Sequence, residues 1–256
     1  MRGMEPHRLS PSAYPLALPL VPEEPPALLA RAALLAGREG VSVSVNDAAS
    51  PALVAVEWKA EGRRVRAVAG AADHPALPSF LTGNGPLTVY ALAGLAARIP
   101  VLRPDLRPVP MATFAPPEGT DAAFRALPPG GVRRLRPADA RHLASFPAWL
   151  WGAGGTPEIA LREGAVYARY LRAEIVSVAV AAARTERYDL LTAYTIERAR
   201  RNGFARECAA RLIGAIGTER GTRPLWACAV DDAPAIAVAR SLGFVEWQAW
   251  AAFALP

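Results

Sequence analysis

Lysine is almost missing from this chain of 256 residues: Lys59 is the only one, so the net charge of +6 rests on arginine. The arginines are spread along the chain among abundant alanine, proline and glycine, which reads as nucleotide-composition bias, and no nucleic-acid partner is expected. Cysteine is scarce as well. Cys208 and Cys228 cannot form a disulfide framework in a chain of this length, and both sit in apolar surroundings as buried thiols would. The three histidines, His7, His74 and His142, show no ligand spacing, and no HxxxH, CxxC or paired acidic motif is present, so no metal is implied. Long hydrophobic runs are lacking too. The apolar stretch Tyr14 to Val21 is broken by Pro15 and Pro19, is too short to span a bilayer and has no cleavage pattern. A cytoplasmic protein without a membrane partner is expected. No repeat is evident at the level of residues.

What remains is a hydrophobic content of 52% with 20% charged residues, ample for a core and for one large or two small domains. The most informative stretch runs from Tyr188 to Phe244. A strand-like segment, Leu190 to Ile196, feeds the turn Arg200-Arg201-Asn202-Gly203-Phe204-Ala205, and a helical run from Arg206 to Ile216 follows. A helix start presents unpaired N–H groups and positive potential, and glycine lets an anion approach the backbone. Arginines beside it fork onto phosphate oxygens. Such a turn also serves as a plain solvated cap, so its context matters. Downstream, Pro224 to Val230 reads as a buried strand. Asp232 then caps a helix that has Pro234 in its first turn and ends at Leu242-Gly243-Phe244.

Together these motifs resemble the acyl-CoA-binding core of the GNAT superfamily of N-acetyltransferases. Arg200, Gly203 and Ala205 fall on the three defined positions of that family's pyrophosphate turn, and Asp232, Ala235 and Leu242-Gly243-Phe244 match its later signature. The likeness is nearest to a bacterial branch with Thr195, Arg200-Arg201, Gly203-Phe204-Ala205, Cys208-Ala209-Ala210 and Pro224-Leu225-Trp226 in its pattern, and it covers roughly the C-terminal half. The resemblance implies an α/β (α+β) fold: a mixed, mostly antiparallel central sheet flanked by helices, with a smaller N-terminal α/β domain. It implies acetyl-CoA as co-substrate, with Ala193, Tyr194 and Thr195 along the pantetheine arm, Arg200 to Arg206 around the pyrophosphate, and Asp232 also in the cofactor site.

Acyl transfer to an amine requires that the amine lose a proton and the thiolate gain one. Asp189, six residues before Thr195, stands where some family members carry a catalytic glutamate; the alternative is a strand-start aspartate, solvated or paired with Arg187. Glu174 is the second candidate base, or else an exposed turn carboxylate. Many family members use a tyrosine as acid at the position of Ala239; with that device absent, Tyr194 is the nearest phenol, unless it packs against the sheet. Phe146, Trp149, Leu150 and Trp151 read either as an aromatic wall for an apolar or planar acceptor or as the core of a short helix.

The expected layout is an extended proline-rich strap over 1–25, an α/β domain over 26–125 and a catalytic domain over 131–256. The linker is sought in Ala115 to Thr120 and Pro128 to Gly131. In the first half a helix is expected at Pro26–Ala36, a strand at Val41–Val45 and a hairpin about Glu61-Gly62. A core helix is expected at Leu87–Arg98 and a broken strand at Ile99–Asp105. The expected activity is acetyl transfer to a small-molecule amine or a protein N-terminus. A non-catalytic CoA-binding regulatory module and a transferase using charged tRNA are the alternatives. A last strand left exposed could pair two subunits into a homodimer.

Overall fold

The computed structural model describes residues 6–82, 85–117 and 131–255. The stretch expected to join the two halves falls largely outside them. The chain forms two compact units. One holds residues up to Met111 together with those from Ala249 on, and the other holds Ala112–Gln248.

The first unit begins with strand β1 (His7–Leu9) and then 3-10 turns at Pro11–Leu16, Leu18–Leu20 and Pro25–Ala27. The expected extended strap is thereby corrected. Proline fixes φ near the helical value, so closely spaced prolines coil the chain when its apolar residues can be buried. Tyr14, Ala17 and Val21 are buried, the Tyr14 hydroxyl donates to Val41 O at 3.2 Å, and Arg31 donates to the carbonyls of Leu18 and Val21. Helix α1 (Leu28–Leu35) and strands β2 (Ser42–Val45), β3 (Leu53–Ala60) and β4 (Arg63–Gly70) follow. Glu61 and Gly62, both at positive φ, close the β3–β4 hairpin as a two-residue turn requires.

After the single-turn α2 (Leu77–Phe80), the segment expected as a core helix is instead strand β5 (Leu87–Ala91) followed by the single-turn α3 (Ala93–Ala96). Leu87, Val89 and Ala91 are buried while Thr88 and Tyr90 are only half-buried, a period of two. Tyr90 is packed edge-on between Trp58 and Trp250, at 6.0 and 5.5 Å between centroids. The strand expected over Ile99–Asp105 is the helical turn α4 (Ile99–Leu102), with Pro100 in the first turn, where a missing N–H costs nothing. Strand β6 (Arg107–Ala115) then leads out of this unit.

The second unit contains β7 (Val132–Arg134), 3-10 turns at Pro137–Leu143 and Ala148–Trp151, α5 (Pro157–Arg162), β8 (Val166–Leu171), β9 (Glu174–Arg184) and β10 (Tyr188–Thr195). It continues with α6 (Phe204–Glu219), β11 (Arg223–Ala229) and α7 (Ala233–Ser241), and strand β12 (Val245–Ala254) starts in it. Strand β9 is buried from Ile175 to Ala183 because both its faces are covered. Ala179 and Ala181 pack with the Cys208, Leu212 and Ile213 face of α6, whereas Val178 and Val180 pack with Leu143, Leu150 and Leu161. The fold is thus a mixed, mostly antiparallel sheet flanked by helices, as the motifs implied.

The expected boundary near residue 130 needs correction at the C-terminus. Ala252–Ala254 of β12 pair antiparallel with Thr88–Tyr90 of β5, and Phe253 is in that core. This part of the last strand is no open edge for a second subunit. The two units also share a plan that no residue pattern revealed. In each, antiparallel neighbours (β1 to β4, β7 to β10) precede one parallel pair, β4 with β5 and β10 with β11.

Candidate functional site

Strand β10 is paired with β11 only from Tyr188↔Arg223 to Leu191↔Trp226, although β10 runs on to Thr195 and β11 to Ala229. Past Leu191 the two strands therefore part. A register irregularity between Leu190 and Leu191 in the β9–β10 ladder marks the start of the gap. On its other edge β10 stays paired with β9 through Thr195, and Ile196 N–H donates to Val176 O at 3.0 Å. By alternation the N–H and C=O groups of Thr192 and Tyr194 face β9, and those of Ala193 and Thr195 face the gap. Side chains alternate as well. Ala193 packs on the α6 side, whereas Tyr194 packs on the other side and the Thr192 hydroxyl donates to Leu150 O at 3.0 Å.

The gap ends at the Arg/Gly turn. Arg201 has φ +63 and Gly203, the N-cap of α6, has φ +77. The first helical bond is Glu207 N–H to Gly203 O, so the N–H groups of Phe204, Ala205 and Arg206 have no partner within the helix. The side chain of Asn202 folds back on the carbonyls of Ala199 and Arg200 and holds the turn. A Cβ on Gly203 would meet nothing within 4 Å, so glycine is needed there for its backbone angle and the space before it is clear. Arg200, Arg201 and Arg206 are exposed around the turn; Arg200 donates to Thr195 O and Arg206 to Ser241 O. Arg169 supports it from β8, stacked over the Phe204 ring at 5.0 Å and ion-paired with Glu207 at 3.2 Å. Nothing in the sequence connected Arg169 to this turn. A strand edge with free amides leading to an N–H-lined arginine turn fits an amide-bearing arm that ends in a pyrophosphate.

The candidate bases stand elsewhere. Asp189 is 0% exposed, and its oxygens accept from Arg184 at 3.2 Å, from Arg220 at 2.9 Å and from Thr222 Oγ1. It is corrected from a base to the hub of a buried ion-pair cluster. Glu174 is exposed and ion-paired with Arg198 at the end of the β8–β9 hairpin. It borders a recess of about 290 Å³ with His142, Phe146, Arg172 and Ile196. Ile196 lies four residues beyond Thr192, roughly 13 Å along the strand. Tyr194 lies on the splayed segment, edge-on to Phe146 at 5.7 Å and Trp149 at 6.3 Å.

Asp232 Oδ1 accepts from Ala235 N–H at 3.0 Å and caps α7. Ala239 is fully buried. Burial pushes the Cys208 thiol up to about 12 and the Cys228 thiol to about 11, which makes both poor nucleophiles, as their apolar surroundings suggested. Phe146, Leu150 and Trp151 are buried while Trp149 remains 38% exposed, so core and wall are both present in that short segment. Among the described residues no group of three or more His, Cys, Asp or Glu side chains could hold a metal.

The sequence matches the GNAT acetyltransferase family model over residues 159–253. No curated protein matches it. Among solved structures, a GCN5-related N-acetyltransferase-like protein from Streptococcus suis has a TM-score of 0.67 at 17% identity, over 96% of this chain and 99% of that one. A GCN5-related N-acetyltransferase from Sphaerobacter thermophilus has a TM-score of 0.57 at 12% identity, over 97% and 94%. A tandem GNAT protein from the clavulanic acid biosynthesis pathway has 0.60 at 12% identity, over 98% and 97%. At these identities the structures speak for the fold. Residues 159–253, which hold the strand gap and the turn at Gly203, are thus similar to the GNAT acetyltransferase family.

Proposed function

We propose that the protein transfers an acetyl group from acetyl-CoA to a primary amine by direct attack of the amine on the thioester. The carrying observation is the parting of β10 from β11 after Leu191, with the gap running into the turn at Gly203. The residues fit the co-substrate. Exposed Arg201 and the N–H groups of Phe204, Ala205 and Arg206 take the pyrophosphate, and the backbone of Ala193 and Thr195 takes the amides of the arm. The reactive carbonyl then lies at the head of the gap, by Thr192.

Holding an amine against a thioester removes much of the entropic barrier. Tyr194 supplies the proton that the departing thiolate needs. Its side chain lies on the acceptor face of β10, and no hydrogen-bond partner of its hydroxyl is found among the described residues. Neither Asp189 nor Glu174 is at the head of the gap, so the amine arrives neutral or loses its proton to water. Among the described residues no helix is long and apolar enough to cross a membrane, and two buried free thiols suit the reducing cytoplasm in which we place the protein.

Calorimetric titration should show acetyl-CoA binding, and amine addition should release CoA thiol. Tyr194→Phe should bind acetyl-CoA as the wild type does while kcat falls roughly 100-fold, the ordinary yield of a positioned acid. A wild type that binds acetyl-CoA but turns over no amine would favour the regulatory module. A wild type that does not bind it would remove the reading.

A further inference from the structure

Resting on the proposed acetyl transfer, we infer that the acceptor is an aromatic primary amine whose nitrogen is already unprotonated at neutral pH, an arylamine, and that Trp149 selects it. One face of splayed β10 is closed: Ala193 packs there with Cys208, Ala209 and the rest of the α6 core. An acceptor reaches the head of the gap from the opposite face. That face is walled by aromatic rings, with Tyr194 between Phe146 and Trp149 at interplanar angles of 78° and 72°. The wall is fixed in place, because Phe146 is buried and Thr192 ties the Ala148–Trp151 turn to β10 through Leu150 O.

Trp149 differs from its neighbours. At 38% exposure it leaves ring surface uncovered beside the strand, and an indole left partly bare next to a reactive centre prefers a planar apolar body, by offset or edge-on stacking.

The second observation concerns the proton. An alkylamine is an ammonium ion at neutral pH and must be deprotonated by a group within about 3 Å, or through one water. Asp189 is buried and held by two arginines and a threonine. Glu174, His142 and Arg172 border a recess that Phe146 separates from Tyr194 and that reaches the end of β10 at Ile196, a position roughly 13 Å along the strand from Thr192. Glu174 is moreover engaged by Arg198, and Arg141 Nε lies 3.3 Å from His142 Nε2. Arg172 and Arg141 add positive charge there, which disfavours an approaching ammonium. An arylamine needs no base, and it presents the flat ring that the wall accepts. In the transfer its nitrogen lone pair forms the new N–C bond as the C–S bond breaks. The nitrogen then sheds one proton to water, and the thiolate takes one from Tyr194.

The test pairs aniline and 4-ethylaniline with phenethylamine, butylamine and spermidine. Binding of each amine is read first from tryptophan fluorescence, with and without CoA, in the wild type and in Trp149→Ala. Arylamine quenching should be present in the wild type and lost in the variant. Initial rates at neutral pH should then rank arylamine above phenethylamine and both above the aliphatic amines. Trp149→Ala should lower kcat/KM for the aromatic acceptors roughly tenfold while acetyl-CoA affinity stays unchanged. Equal or faster turnover of spermidine or butylamine would overturn the inference, as would a Trp149→Ala loss equal for all amines, or arylamine quenching that survives in the variant. None of these outcomes touches acetyl-CoA binding, whose absence alone would sink the underlying acetyl-transfer reading.

Discussion

At the scale of single residues, Asp189 shows how a plausible chemical role gives way to a structural one. Its neighbours in sequence offered Arg187 as a partner, but the arginines that hold it are Arg184, one strand back, and Arg220, at the end of α6. Removing a charge from such a cluster leaves two guanidinium groups uncompensated. Asp189→Asn should lower stability by about 3 kcal/mol, the low end for a broken buried pair because both arginines reach solvent. Thermal unfolding should shift down by on the order of 10 °C, with acetyl-CoA affinity of the folded protein retained. A catalytic base would give the converse, lost turnover at unchanged melting temperature.

Cys208 offers a test with a defined pH sign. Its folded thiol is raised by burial to about 12 from an ordinary 9.0, so the native state favours the neutral form. That preference is fully present below pH 9 and is lost as pH rises toward 12, at about 1.4 kcal/mol per unit. A thiol reagent at pH 8 should therefore leave Cys208 unmodified until the protein unfolds, and urea midpoints should fall above pH 9. Rapid native labelling would show the site to be open.

At the scale of elements, the proposed function rests on what β10 does not bond. Residue patterning is not the source of that property, since Tyr188–Leu191 and Thr192–Thr195 read alike as strand, and the gap arises from where pairing with β11 stops. Amide hydrogen exchange measures it directly. The amides of Ala193 and Thr195 should exchange faster than that of Thr192, which faces β9, and acetyl-CoA should slow them. Protection confined to other segments would place the arm elsewhere.

The legible parts of the sequence were those with local causes: the turn built on Gly203, the Asp232 cap, the Glu61-Gly62 hairpin and the strands around them. Leu87–Arg98 misled because a short apolar run has the same composition in a strand as in a helix, and only packing against Trp58 and Trp250 decides it. Arg169 beneath Phe204 and the Thr192–Leu150 tie depend on residues 35 and 42 positions apart, which no local pattern encodes.

At the scale of the whole chain, the repeated strand plan raises the question of whether each unit holds its own CoA. In the first unit β5 ends at Ala91, and all its residues, Leu87–Ala91, are paired with Arg64–Val68 of β4. No gap opens there. The connection after β4 leads into α2, a single turn whose N-cap is Ala76 at φ −78 with Pro78 in the first turn. Its one positive-φ glycine, Gly70 at φ +114, closes β4 against Ala52 O instead of capping a helix, and no sixteen-residue helix follows as after Gly203 in the second unit. Only Ala69 and Gly70 of β4 run past the last pair, Val68↔Ala91, and β5 does not continue beside them as β11 does beside β10. Calorimetry with acetyl-CoA should therefore give one site per chain, and Gly203→Glu should abolish it entirely. The added side chain costs only about 1–2 kcal/mol through its backbone angle, so the variant should stay folded, with a carboxylate set in the proposed pyrophosphate site. Two sites in the wild type, or one surviving in Gly203→Glu, would show that the first unit binds the cofactor through a geometry other than the parting of parallel strands.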